Sequence, residues 1–168
     1  MAMALKAAER PAERMDRIDR RILFELQRDA TLSVAQLAER VGLSQTPCWK
    51  RIQKLEQAGI ITGRVAVVDP GKIGLGLTVF VEIEAADHSP AWREAFGRAV
   101  AEMPEVIEGH RMAGDVDYLL KVAMPDMGAF DDFYKRLTAR LELKNVTSQF
   151  AMERLKGPTA YPIDTTEP

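Results

Sequence analysis

Residues 33–59 read SVAQLAERVGLSQTPCWKRIQKLEQAG, and this stretch predicts two short helices joined by a tight turn. Ser33 is an N-cap, and Gln36 can reach back to the Ser33 N–H, so a helix over Val34–Arg40 opens with a capping box. Gly42 ends it. Ser44 caps the next helix, and Pro47 is tolerated in its first turn because those N–H groups have no intrahelical acceptor. Gly59 supplies the stop. At about 100° per residue, Cys48, Ile52 and Leu55 form one apolar stripe, while Thr46, Lys50, Gln53 and Gln57 lie opposite, flanked by Trp49 and Lys54. A helix-turn-helix presents its second helix to the major groove in this way, with Lys, Gln and Thr reaching phosphates and base edges. Any solvated helix face is polar; the caps and the turn favour the DNA reading. The candidate DNA contacts are Ser33, Ser44, Gln45, Thr46, Trp49, Lys50, Arg51, Gln53 and Lys54.

Upstream, Ile18, Ile22, Leu23 and Leu26 recur at helical spacing after Asp16 and can close a three-helix core over Leu37, Val41, Leu43, Ile52 and Leu55. Charge separates this part from the rest. Residues 16–64 hold nine Lys and Arg against six Asp and Glu, and residues 65–168 hold eleven against seventeen, so a net of −2 conceals a basic module tied to an acidic one. No apolar run is long enough for a membrane span, and the first fifteen residues lack the apolar core of a signal peptide, so a cytoplasmic protein is expected. Cys48, the single cysteine, falls on the packed stripe and reads as a small buried apolar residue rather than a redox sensor.

After Gly63 the periodicity becomes alternating. Val65–Asp69 suggests a connecting strand, and Asp69, Pro70 and Gly71 mark a turn. Leu77, Val79, Val81 and Ile83 alternate with Thr78, Phe80, Glu82 and Glu84. Ser89 and Pro90 start a helix with Trp92, Phe96, Ala99, Val100 and Met103 on one face. Val106–Met112 and Tyr118–Met124 are strands joined by a hairpin, Asp126 caps a helix carrying Phe130, Phe133, Tyr134 and Leu137, and Val146–Leu155 is the last strand. The order βαββαβ gives a ferredoxin-like antiparallel sheet with both helices on one face. Its other face would leave apolar side chains such as Phe80 or those of the Leu77 strand in water, and dimerisation is the simplest cover. The expected division is a tail over 1–15, a DNA-binding domain over 16–61, a connecting segment over 62–72, an effector and oligomerisation domain over 73–156, and a tail over 157–168.

These residues also resemble a family. DRIDRRIL at 16–23, VGLSQTPCWKRI at 41–52, LEQAGII at 55–61 and MAGDVDYLLKV at 112–122 are similar to the Lrp/AsnC regulators, over residues 15–156. TPCWKR, KIGLGLT, EMPEV, DDFYKRL and VTSQFAME are similar to its DecR-type, cysteine-responsive subgroup. Leu141-Glu142 departs from the Pro-Gly turn that the family commonly has before its last strand. The resemblance implies an α+β chain, with an N-terminal winged helix-turn-helix followed by a βαββαβ ferredoxin-like domain of the RAM, or Lrp, type.

In the hairpin, Asp115 and Asp117 could accept the ammonium of an amino acid, and backbone N–H groups around Gly114 its carboxylate, since both charges need partners on leaving water. The same residues could simply make the turn. Met112, Tyr118, Met124, Ser148 and Phe150 complete the candidate effector site. His88 and His110 have no partner at metal-ligand spacing, no phosphate loop or nucleophile elbow is present, and no metal, prosthetic cofactor or catalytic residue is expected. The sequence therefore reads as a homo-oligomeric regulator of double-stranded DNA, a dimer built up to a tetramer or octamer, that responds to a small amino acid. L-cysteine is the first candidate. The rivals are a leucine-responsive regulator, a ligand-independent architectural protein, and a small ferredoxin-like enzyme that would leave the DNA module unexplained.

Overall fold

A computed structural model describes residues 15–157 and 160–166; of the expected N-terminal tail, all but Met15 lies outside the described residues. The chain forms two units, the first taking it up to Ala66 and again from Lys156, the second running from Val67 to Leu155.

The first unit holds α1 (Arg17–Arg28), α2 (Val34–Val41) and α3 (Gln45–Gln57), the first two opened by side-chain caps and the third starting after Ser44 without one. Asp16 accepts from the Asp19 N–H, and the capping box of Ser33 and Gln36 is complete. Gly42, at φ +74°, turns the chain out of α2 through the left-handed region, where glycine carries no Cβ penalty. Ile22, Leu23, Leu37, Ala38, Val41, Cys48, Ile52 and Leu55 form the core. Arg21 donates to the Arg40 carbonyl at 2.7 Å, satisfying one of the orphan acceptors at the end of α2, and Arg40 pairs with Glu25 of α1. Residues 160–163 join this unit, so the expectation of a tail over 157–168 is corrected there. Ile163 packs against the helical core, and the Tyr161 N–H donates to Gln27 Oε1 at 2.8 Å.

The alternating run Val65–Asp69 is not a strand in this chain. Val65 and Val67 are 84% and 77% exposed, and among the described residues no other strand pairs with this run. Alternation supplies the side-chain order of a strand, but only a hydrogen-bonded neighbour makes one. The Asp69 turn does form: its carboxylate accepts from the Gly71 N–H, and a single 3₁₀ turn over Gly71–Ile73 follows.

The second unit has the order β1 (Leu77–Ala85), α4 (Pro90–Ala101), β2 (Val106–Arg111), β3 (Tyr118–Met124), α5 (Met127–Arg140), β4 (Leu143–Phe150). Its sheet is antiparallel with strand order β2-β3-β1-β4. Val79, Val81 and Ile83 of β1 meet Leu120 and Val122 of β3 in one core with Phe96, Phe133 and Leu137 of the two helices. Gly109 allows the close approach on this side, because a Cβ there would stand 3.1 Å from the Leu120 side chain.

Two expectations need correcting. β4 starts at Leu143 and ends at Phe150, not Val146 to Leu155; Met152 and Leu155 are almost fully exposed. Apolar residues continue beyond the last paired position, which hides the end of a strand from its sequence. The open face of the sheet is also more polar than expected. Leu77 packs with the helix-side core, and beside Phe80 the open face carries Glu82, which accepts from Gln149, and Glu84, which pairs with Lys144.

Candidate DNA interface and effector site

On α3, Cys48 is fully buried while Thr46, Lys50, Lys54 and Gln57 are exposed, Gln53 is half-buried and Trp49 is 48% exposed. Gln45 and Ser44 are exposed at the helix start, and the Ser44 side chain makes no cap hydrogen bond. Two of the sequence-predicted contacts are differently used. The Ser33 hydroxyl is occupied: it donates to Gln36 Oε1 at 2.9 Å and accepts from the Gln36 N–H at 3.2 Å, so it has no proton left to offer a phosphate. Arg51 turns toward α1, where its Nη1 donates to Asp16 Oδ2 at 2.6 Å and Asp19 Oδ1 at 2.7 Å. Asp19 is 2% exposed, so the guanidinium neutralises a buried charge instead of seeking DNA.

This clamp fixes α3 on α1, and sequence reasoning missed it. The only local signal was the pair of aspartates three residues apart at the start of α1, which capping by Asp16 already explained.

Burial pushes the Cys48 thiol above its ordinary value, against a smaller opposing pull from Arg51. Cys48 should therefore stay unreactive toward an aromatic disulfide reagent in the native protein at neutral pH and react fully on unfolding in urea. Rapid native labelling, followed by absorbance, would contradict this.

The hairpin loop Met112–Asp117 is a closed structure. The Met112 N–H donates to the Asp117 carbonyl at 2.8 Å, the Asp117 N–H donates to the Ile83 carbonyl at 3.0 Å, and Asp117 Oδ2 accepts from the Ala85 N–H at 2.8 Å. One carboxylate oxygen of Asp117 thus ties the loop to the end of β1, while Oδ1 lies 3.7 Å from His88 Nδ1. Asp115 and Gly114 are exposed, as is Met112. Tyr118 and Met124, by contrast, are buried in the helix-side core, Tyr118 against Phe96 with ring centroids 4.3 Å apart. Neither is open to a ligand, because strand alternation gives β3 two faces without saying which one the helices cover.

Ser148 lies half-buried opposite Val81, and Phe150 lies opposite Val79 with its ring edge-on to Phe130 at 5.1 Å. The hairpin opens at the other end of the sheet, where Tyr118 pairs with Ile83. From Ile83 to Val79 the sheet advances roughly 13 Å at about 3.3 Å per residue, so the hairpin and Phe150 do not meet within one chain. The Leu141-Glu142 corner is held by the Trp92 indole, which donates to the Glu142 carbonyl at 3.1 Å.

Among the described residues no group of His, Cys, Asp or Glu could hold a metal ion, and no helix is long and apolar enough to cross a membrane. The winged helix-turn-helix DNA-binding family matches residues 15–62, and the Lrp/AsnC ligand binding domain matches residues 78–161. The chain belongs to the Lrp/AsnC family.

Within that family it is 52% identical over 151 residues to the DNA-binding transcriptional activator DecR of Escherichia coli strain K12, an alignment covering 89% of this chain and 99% of the relative. An AsnC family transcriptional regulator from Agrobacterium tumefaciens superimposes with a TM-score of 0.85 at 55% identity, covering 90% of this chain and 99% of that one. A transcriptional regulator from Neisseria meningitidis, solved in complex with L-Met, superimposes with a TM-score of 0.84 at 33% identity over 89% and 97% of the two chains. This Lrp/AsnC member is a DNA-binding transcription regulator carrying the family's amino-acid-binding domain, and its relatives are named as regulators rather than enzymes.

Proposed function

We propose that this regulator reads the major groove through Thr46, Lys50, Gln53 and Lys54 of α3, with Gln45, Trp49 and the Ser44 cap beside them, and that it acts in the cytoplasm as a homo-oligomer whose assembly responds to a small amino acid. L-cysteine is the first candidate effector, supported by the similarity to DecR across nearly the whole chain. The observation that carries the assembly is the distance between the two halves of the candidate site: Asp115 and Asp117 sit at one end of the sheet, Phe150 lies toward the other, and Ser148 stands between them at mid-strand. A ligand held by the hairpin of one copy and the β4 side of another needs no intramolecular closure. It has only to bind one assembly more tightly than its alternatives, which changes the spacing of the DNA-reading helices and so the sites they bridge. Cysteine would bind reversibly by its ammonium and carboxylate, since the buried Cys48 offers no thiol for exchange.

The DNA reading is tested at Lys50. Lys50→Ala and Gln53→Ala should each weaken operator binding in fluorescence anisotropy with unchanged unfolding. Loss of a phosphate contact at Lys50 should reduce the salt slope by about one unit for all sequences alike, whereas loss of a guanine contact should relax one base pair for about 1–3 kcal/mol. Unchanged affinity in both variants would remove α3 as the reader. Calorimetric titration with amino acids separates the sensor from an architectural protein, which would give no heat of binding.

A further inference from the structure

We propose that the C-terminal segment Ala160–Ile163 is a working part of the DNA-binding unit, a strap that braces α1 and through it sets how firmly α3 holds DNA. Ile163 lies half-buried against the helical core, where it meets the cluster formed by Ile22, Leu23 and their neighbours. The Tyr161 N–H donates to Gln27 Oε1, so the strap is fixed to α1 by a backbone hydrogen bond as well as by apolar contact. Between them, Phe24, Gln27 and Arg28 of α1 and Ala160, Tyr161 and Pro162 line a cleft of about 420 Å³. Pro162 restricts the strap's backbone before it docks, which lowers the entropy lost on docking.

The force path runs through residues already described. The strap touches α1; α1 carries Asp16 and Asp19; those two carboxylates hold Arg51 of α3. The Lrp/AsnC ligand-binding match extends to residue 161, yet residues 160–163 belong to the first unit. The DNA-binding unit is therefore covalently joined to the second unit twice, at Ala66–Val67 and at Leu155–Lys156.

The strap's role rests on α3 being the DNA-reading helix, and two readouts on the full chain keep the two ideas apart. In hydrogen–deuterium exchange, Ile163→Asp should speed exchange in α1 and α3 about tenfold, the effect expected from losing the burial of roughly half an isoleucine side chain, with β1 and β3 unchanged. Ile163→Ala should show a smaller effect in the same peptides, and Ile163→Leu should be near wild type, so the series holds even if the Asp variant fails to fold. Operator affinity should fall in the same order, by roughly three- to tenfold for Ile163→Ala, with the salt slope unchanged because no phosphate contact is lost. Unaltered α1 exchange across the series would overturn the strap. Altered exchange with unaltered affinity would leave a packing contact and overturn its effect on DNA binding. Failure of α3 as the reader is seen separately, in Lys50→Ala.

Discussion

Arg51→Ala should lower the unfolding free energy of the first unit by about 2–4 kcal/mol. Removing the guanidinium leaves Asp19, 2% exposed, as a buried carboxylate without its counter-charge, at a desolvation cost. The loss stays below that of a fully buried pair because the Arg51 side chain is 31% exposed and Asp16 is 52% exposed, so water recovers part of the interaction. Urea unfolding followed through Trp49 in a Trp92→Phe background would report the first unit alone, since Trp92 belongs to the second. The double change Asp19→Leu with Arg51→Met should recover most of the loss, because it removes both charges together. An unchanged midpoint in Arg51→Ala would show that the clamp holds nothing.

The same clamp gives an acid dependence of known sign. Burial pushes the Asp16 carboxyl up, but the Asp19 N–H and the Arg51 guanidinium outweigh it and hold it below the ordinary carboxylate value. A carboxyl depressed by folding contributes stability that is complete above its unfolded value, about 4, and lost as the pH falls through the lower folded value. Wild type should therefore lose stability below about pH 4 more steeply than Arg51→Ala, in which Asp16 has lost the counter-charge that depressed it.

Asp115→Asn should cost the amino-acid effector ten- to hundredfold in affinity, the equivalent of the roughly 1.5–3 kcal/mol that a hydrogen bond to a charged group contributes, while effector-free DNA binding stays as in wild type. Asp115 is the cleaner of the two hairpin acids. It is exposed, whereas Asp117 also accepts from the Ala85 N–H, so its replacement disturbs the junction of hairpin and β1 as well as any ligand. Calorimetry with L-cysteine, L-serine, L-alanine and L-leucine, and light scattering with and without each, would identify the effector and its influence on assembly. A response to leucine and not cysteine would overturn the subgroup reading and keep the sensor. An Asp115→Asn protein that titrates as wild type does would reduce the hairpin acid to a turn residue.

Features set by residues close together along the chain are legible in the sequence. The Ser33–Gln36 capping box, the Asp126 cap and the Cys48–Ile52–Leu55 stripe each depend on three or four residues of spacing, and all three form. Partnerships across the chain are not legible in this way. Arg51 sits on the flank of α3, and nothing within a helical turn of it says that Asp19, 32 residues earlier, waits buried for its charge. The sequence pattern puts Met124 and Tyr118 on the right strand but in the wrong surroundings, because alternation divides the faces of β3 while α4 and α5 choose between them. Val65, Val67 and Val68 show the same limit from the other side: they have the pattern of a strand and no neighbouring strand among the described residues.

The contact between Ile163 and the helical core also orders events during synthesis. α1, α2 and α3 leave the ribosome first, but the residue that packs against their core is made roughly a hundred positions later, an interval of about 5–20 s at ordinary elongation rates. Until then the nascent helices lack this contact, and β4, which ends at Phe150, is itself made only shortly before Ile163. Completion of the sheet and of the helical unit thus falls within the same late interval of synthesis.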